Sequence, residues 1–272
     1  MKISQFYDKN RLRLGLIEYN SLIPLDFQGE MIDFIGGNPN CMPSGEPIPL
    51  NRVKFAPVVN IPSKIIGVGL NYMDHIRESK GEVTNFPPLF AKFPSSLLGH
   101  NEQITWDSLL TQKVDFEGEL AIIIGKKVYR CLESEAMENI FGYSCANDVS
   151  ARDIQFGDKQ WVRGKSLDTF CPIGPWIVTS DDISDPHSLG IKCLLNQQIM
   201  QDSHTRMMIF KVPQLISFLS QHFTLLPGDV ILTGTPQGVG AFRDPPVYLK
   251  DGDEIVIEIE HLGRLVNACR TL

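Results

Sequence analysis

From Lys64 onward the chain is a succession of short apolar runs, rich in β-branched residues and separated by Gly, Pro and Asp. KIIGVG, PLFAKF, DFEGELAIIIG, GYSCANDV, IGPWIVT, IKCLLN, DVILTG, EIVIEIE and GRLVNACR each have the length and composition of a strand. Helical periodicity is sparse. VPQLISFLSQHF carries Leu215, Phe218, Leu219 and Phe223 close to a 3.6-residue repeat, with Pro213 in its first turn. NYMDHIRES is one further short candidate. Strand and helix patterns do not alternate regularly, which argues against a doubly wound parallel sheet. The expected fold is mixed, β-rich α+β.

The leading residues differ from the rest. RLRLGLIE alternates as a half-buried strand does. GGNPNCMPSGEPIPLNR, rich in Gly, Pro, Asn and Ser, reads as turns and a linker. We place a boundary near residue 60, giving a small N-terminal domain (1–60) and a larger one (61–272). A chain of 272 residues can bury a core of that size.

Bulk properties narrow the function classes. The formal net charge is -7 and no Lys/Arg run is present, which argues against a nucleic-acid partner. The N-terminus MKISQFYDKNRLRLGLIE lacks an apolar core and a small-residue cleavage pattern, so no signal peptide is expected. The longest apolar run, Leu120 to Ile124, is strand-sized and far short of the roughly 20 residues that cross a bilayer. The six cysteines are dispersed with no CxxC, as reduced cytosolic thiols are. A cytoplasmic protein without membrane contact is expected.

Five segments carry chemistry. In VDFEGEL, a period of two puts Glu117 and Glu119 on one strand face, with Phe116 and Leu120 on the other. Asp115 shares the acidic face. Like charges so placed must be solvated, protonated or neutralised by a cation. In CANDVSARDIQ, an apolar run ends at Asn147 and Asp148, with a helix expected from Ser150. Asp148 reads as an N-cap or as a ligand. Three carboxylates without Cys or His would favour Mg²⁺, Mn²⁺ or Ca²⁺ over Zn²⁺. In NYMDHIRES, His75 and Glu78 stand at i and i+3, as an exposed pair or as a base with its orienting carboxylate. Lys165 lies in a turn-like GKS stretch, from which it could stabilise an enolate. ILTGTPQGVG is a Gly-rich turn after a strand, with backbone N–H groups to offer a carboxylate or oxyanion. It is not a nucleotide P-loop.

Taken in order, these segments resemble the fumarylacetoacetate hydrolase family. GVGLNYMDH, PPLFAKFPSSL, VDFEGELAIIIG, NDVSARDIQ, RGKSLDTFCPIGP, RMMIF, LLPGDVILTGTPQGVG and LKDGDEIVIEIEHLGRL carry the likeness from about Lys64 to Leu265. The resemblance implies a β-roll catalytic domain over 61–272 and a homodimer. It implies that Glu117, Glu119 and Asp148 bind Mg²⁺ or Mn²⁺, with Ca²⁺ as an alternative. It implies that His75, Glu78 and Lys165 are catalytic, and that Arg152, Gln155 and Thr235 touch the substrate. Thr169 stands where some members place a hydroxyl near the metal. The chain departs from the family pattern at Gly99, His100, Asn101 and Glu102, at Met207 and at Leu167, which puts the pocket shape in question.

The implied substrate is a small anionic 2-oxo acid. The His75 and Glu78 pair tilts the expectation towards hydrolysis of a C–C bond in an acylpyruvate. Decarboxylation or keto–enol isomerisation of a 2-oxo dicarboxylic acid is the alternative. A metal-binding protein without catalysis is the rival class, disfavoured by the presence of His75 and Lys165.

Overall fold

The structure, a computed structural model, describes residues 1–37 and 41–272. The leading part holds β1 (Lys2–Asp8), β2 (Arg11–Glu18), β3 (Ser21–Pro24), α1 (Met31–Gly37) and β4 (Ile48–Pro49). The middle holds β5 (Ile65–Val68), α2 (Met73–Ser79), β6 (Leu89–Lys92), β7 (Leu97–Leu98), β8 (Gln103–Trp106), β9 (Val114–Asp115), β10 (Gly118–Ile124), α3 (Glu133–Ala136) and β11 (Ile140–Asn147). There follow β12 (Ser150–Ala151), α4 (Arg152–Gly157), α5 (Val162–Lys165) and β13 (Cys171–Thr179). The last part holds β14 (Gly190–Leu195), β15 (Gln198–His204), α6 (Val212–His222), β16 (Val230–Leu232), β17 (Glu254–Ile259) and β18 (Gly263–Thr271). The mixed, β-rich α+β class is thereby established, and each apolar run singled out above contains a strand.

The larger sheet runs β4-β3-β2-β1-β13-β11-β10-β16-β5-β6, with β7 paired to β13. The smaller sheet runs β15-β14-β17-β18-β8. Every residue of β10 is buried. Leu120, Ile122 and Ile124 enter the main core, shared with Ile191, Ile255, Ile257 and Leu265 of the smaller sheet. Ala121 and Ile123 enter a second core with Met31, Phe34 and Ile35 of α1. A strand covered on both faces has no solvent side, which is why its sequence is an unbroken apolar run. Helix α6 buries Val212, Leu215, Ile216 and Leu219, so of the face read in the sequence Leu215 and Leu219 are buried, Phe218 is half-buried, and Phe223, just past the helix, is exposed.

The first four strands lengthen the larger sheet. β1 runs antiparallel to β13, Lys2 opposite Val178 and Ile3 opposite Ile177. The boundary placed near residue 60 falls in the connection between Arg52 and β5. Within the stretch read as a linker, Gly36 and Gly37 close α1, while Asn38, Pro39 and Asn40 lie outside the described residues. The helix expected from Ser150 starts two residues later. Ser150 and Ala151 first pair with Asp115 and Val114, and α4 begins at Arg152. Among the described residues no helix is long and apolar enough to cross a membrane.

Candidate active site and metal centre

β9 stops at Asp115 and β10 starts at Gly118, so Phe116 and Glu117 lie in a break between strands. The Glu117 N–H donates to Asn147 Oδ1 at 3.0 Å, and its carbonyl accepts the Asp148 N–H at 2.9 Å. The β10–β11 register sets Glu119 opposite Ala146. Asp148, just past the end of β11, is thus carried to both glutamates. One carboxylate oxygen from each of Glu117, Glu119 and Asp148 lies within 4.8 Å of the others, and all three residues are buried. Phe116 and Leu120 point instead into the main core.

Three cations reach this cluster. Lys165 Nζ donates to Glu117 Oε2 at 2.8 Å and to Asp148 Oδ2 at 2.5 Å. Lys92 Nζ donates to Asp148 Oδ1 at 2.5 Å. Arg152 lies 2.7 Å from Glu117 Oε1 and donates through Nε to Asp115 Oδ2 at 2.8 Å. Burial alone would raise the Glu117 carboxyl, but Lys165 and then Arg152 outweigh it and hold it well below the usual carboxylate range. Burial would lower the Lys165 ammonium, yet Asp148 and Glu117 raise it. Lys165 stands at the end of α5 rather than in an open turn. Gly164 lets α5 close on α4, since a Cβ there would meet Gln155 N at 2.8 Å.

Glu119 is different. It is 1% exposed, and its hydrogen bond comes from the Gly234 N–H at 2.6 Å, not from a cation. Burial, then Asp148 and Glu117, push its carboxyl well above the usual range. Four buried carboxylates (Asp115, Glu117, Glu119, Asp148) thus face three buried cations (Lys92, Arg152, Lys165), and Glu119 carries the deficit. An all-oxygen donor set with an uncompensated carboxylate fits a hard divalent cation. The cysteines suit no such role. All six are free, and burial pushes the Cys145 and Cys171 thiols up to about 12.

His75, on α2, is buried, and its Nδ1 lies 3.2 Å from Glu78 Oε2. Glu78 Oε1 accepts the Gly238 N–H at 2.9 Å. His75, Glu117, Arg152, Gln155, Lys165 and Thr235 line one cavity of about 110 Å³, and Phe90, Phe156, Trp161 and Phe242 are among its apolar walls. Gln155 Oε1 accepts from Arg152 Nη1 at 2.8 Å. Thr235 Oγ1 donates to the Gly118 carbonyl at 3.0 Å and accepts from Gln201 Nε2 at 2.8 Å.

Three expectations are corrected. Asp115 is no member of the acidic ligand face. The break at Phe116 ends the alternation, and Asp115 is held by Arg152 and by the N–H groups of Gly240 (2.7 Å) and Ala241 (3.0 Å). The amides of the Gly-rich turn serve the chain's own carboxylates. Gly234 donates to Glu119, Gly238 to Glu78 and Gly240 to Asp115. The Thr169 hydroxyl is taken up by the Thr105 backbone, accepting its N–H at 2.9 Å and donating to its carbonyl at 3.2 Å. Residues the sequence left unassigned are Lys92, Gln201 and the aromatic wall. None of the positions that depart from the family pattern lines the cavity.

The fumarylacetoacetate (FAA) hydrolase C-terminal family matches residues 64–270. The chain belongs to this family. It is 48% identical over 222 residues to the mitochondrial oxaloacetate tautomerase FAHD2A of Bos taurus, which covers 81% of this chain and 70% of that protein. The fumarylacetoacetate hydrolase of Exiguobacterium antarcticum superposes with a TM-score of 0.92 at 37% identity, covering 100% of both chains. The 2-hydroxyhepta-2,4-diene-1,7-dioate isomerase of Mycobacterium marinum superposes at 0.84 with 33% identity, over 100% of this chain and 98% of that one.

Proposed function

We propose that the protein is a metal-assisted keto–enol tautomerase acting on a short 2-oxo dicarboxylic acid of the oxaloacetate type. This reverses the order expected from the sequence, in which C–C hydrolysis came first. The observation that carries the reading is a single histidine base facing a buried carboxylate and lysine cluster across a small cavity. At about 110 Å³ that cavity is well under the ~300–1,000 Å³ of sites for larger ligands. It suits a compact acid of about four or five carbons, a size that oxaloacetate and acetylpyruvate share. The relative named as an oxaloacetate tautomerase tips the choice to the first.

Tautomerisation removes one proton from C3 and adds one at the 2-oxygen, consuming no water. With Nδ1 directed at Glu78, the imidazole leaves Nε2 free to take the C3 proton. Gly238 fixes Glu78 and so the ring. Lys165 and Arg152 would stabilise the enolate charge where it develops, and Gln155 and Thr235 would orient the acid. Glu117, Glu119 and Asp148 would hold Mg²⁺ or Mn²⁺, or Ca²⁺, which when bound supplies Lewis-acid polarisation of the 2-oxo group. The same dyad could activate water, so acylpyruvate hydrolysis is the second reading.

A substrate panel separates the two. Protein loaded with Mg²⁺ or Mn²⁺ is given oxaloacetate, acetylpyruvate and fumarylpyruvate. We expect accelerated interconversion of enol- and keto-oxaloacetate without cleavage. Turnover of the acylpyruvates to pyruvate, with no effect on the oxaloacetate equilibration rate, would establish the second reading instead.

A further inference from the structure

Two phenylalanines stand exposed at the active-site cavity. Phe156 is 61% exposed and Phe242 39%. A lone exposed apolar side chain needs no explanation. These two line the same cavity as His75, Arg152 and Lys165, and their ring centroids are 6.5 Å apart. The Phe242 ring also meets the His75 imidazole at 5.7 Å between centroids, and the Arg152 guanidinium lies 6.0 Å from the Phe156 ring. A file of rings therefore runs from the candidate base to the candidate substrate-binding arginine. His75 itself is 6% exposed.

The placement of Phe242 is built into the backbone. It closes a short 3-10 turn, Gly240–Phe242. The N–H groups of Gly240 and Ala241 both donate to Asp115, the carboxylate that also holds Arg152. A Cβ at Gly240 would lie 1.8 Å from the Val247 carbonyl oxygen, so the turn can take this position only with glycine there. Arg243 ties the far side down, donating through Nε to the Gly238 carbonyl at 3.2 Å and through Nη2 to the Met200 carbonyl. One buried carboxylate, Asp115, thus fixes both the arginine and the aromatic residue over the base.

We propose that Phe242, backed by Phe156, decides the reaction outcome by shielding the His75 imidazole from bulk water. The inference rests on the tautomerase reading. Hydrolysis of an acylpyruvate breaks the C3–C4 bond, placing the OH of one water on C4 and its H on C3, and yields a carboxylic acid and pyruvate. Tautomerisation moves a proton between C3 and the 2-oxygen and needs no water. A base walled off from solvent performs the second and not the first. Phe242 is a positioning residue in this scheme, acting through His75.

The test has two arms, applied to the wild type, Phe242→Ala, Phe156→Ala and the bulk-retaining Phe242→Leu. In the first arm, diethyl pyrocarbonate modification of His75 is timed by mass spectrometry, which reads shielding without reference to any reaction. Modification should be severalfold faster in Phe242→Ala, with Phe242→Leu close to wild type. In the second arm, Mn²⁺-loaded proteins are given enol-oxaloacetate and acetylpyruvate. Phe242→Ala should lose about tenfold in the tautomerase kcat, short of the ~10²–10⁴-fold that a general base supplies, and should gain acetylpyruvate cleavage. Unchanged His75 modification in Phe242→Ala overturns the shielding. So does an unchanged ratio of the two activities in a normally melting variant, or a change confined to oligomer mass, which would place the rings in a subunit contact. Absent tautomerase activity in the wild type defeats the functional reading, and the first arm still decides the shielding.

Discussion

Asp148 is gripped by two lysines, one on each oxygen, and they do different work. Lys165 also touches Glu117 and lines the cavity, whereas Lys92 contacts Asp148 and the Val149 carbonyl and stays out of the cavity. Lys165→Met should therefore cut turnover by about 10²–10³ while Mn²⁺ binding by calorimetry survives. Both variants should lose stability, because removing one partner of a buried ion pair costs about 3–5 kcal/mol, but Lys92→Met should spare the chemical step. Urea unfolding of the two variants beside turnover checks the split, and a Lys92→Met protein as stable as wild type would remove Lys92 from the cluster. Lys92 was illegible in the sequence for a physical reason. In the run LFAKF it reads as an ordinary polar position, and its partner is 56 residues further on. Glu117 and Glu119 were legible because they lie two residues apart in the sequence, although Glu117 precedes β10 instead of lying on it.

At the scale of the element, α2 is a docked helix. A short polar helix has little apolar face to hold it in place by itself. Here Asp74 accepts from Ser203 at 2.5 Å, Glu78 accepts from Gly238, and Tyr72 bridges to Met208. These anchors are all distant in sequence and invisible to periodicity. If His75 and Glu78 act as one unit, their alanine variants should each lower kcat, leave oxalate binding nearly intact, and be strongly non-additive in the double variant. Simple addition of the two losses would dissolve the dyad. The turn from Gly99 to Glu102 offers a different test. His100 Nδ1 accepts the Val266 N–H at 3.0 Å, its ring meets Phe55 edge-on, and burial lowers it to about 4 from 6.5. Between those values the unfolded chain binds a proton that the folded one does not, so stability should fall as pH drops through the window. The expected loss attributable to His100 is about 2 kcal/mol between pH 7 and pH 5. Denaturant titration at both values should show that part of the slope missing in His100→Gln, and an unchanged slope would refute it.

At the scale of the whole molecule, we infer a two-fold homodimer from the family resemblance. Light scattering at micromolar concentration should give twice the 30.5 kDa chain mass, and a purely monomeric mass would refute it. The β-rich class was legible because strands buried on both faces, such as β10, write unbroken apolar runs. The joining of β1 to β13 was not legible, because pairing between residues 2 and 178 leaves no local pattern. The site follows the same rule. The carboxylates that could hold a metal lie on local motifs, while the ion pairs and amides that hold them come from across the chain.

The central claim is metal-assisted proton transfer on a 2-oxo acid, and one measurement meets it directly. The ultraviolet decay of enol-oxaloacetate is followed with metal-stripped protein, then after adding back Mg²⁺ or Mn²⁺, with Glu119→Gln as the control for catalysis by free metal. We expect no acceleration in EDTA, recovery on metal addition in the wild type alone, and no matching release of pyruvate. Full acceleration by the metal-free protein, or pyruvate appearing as fast as the enol disappears, would contradict it.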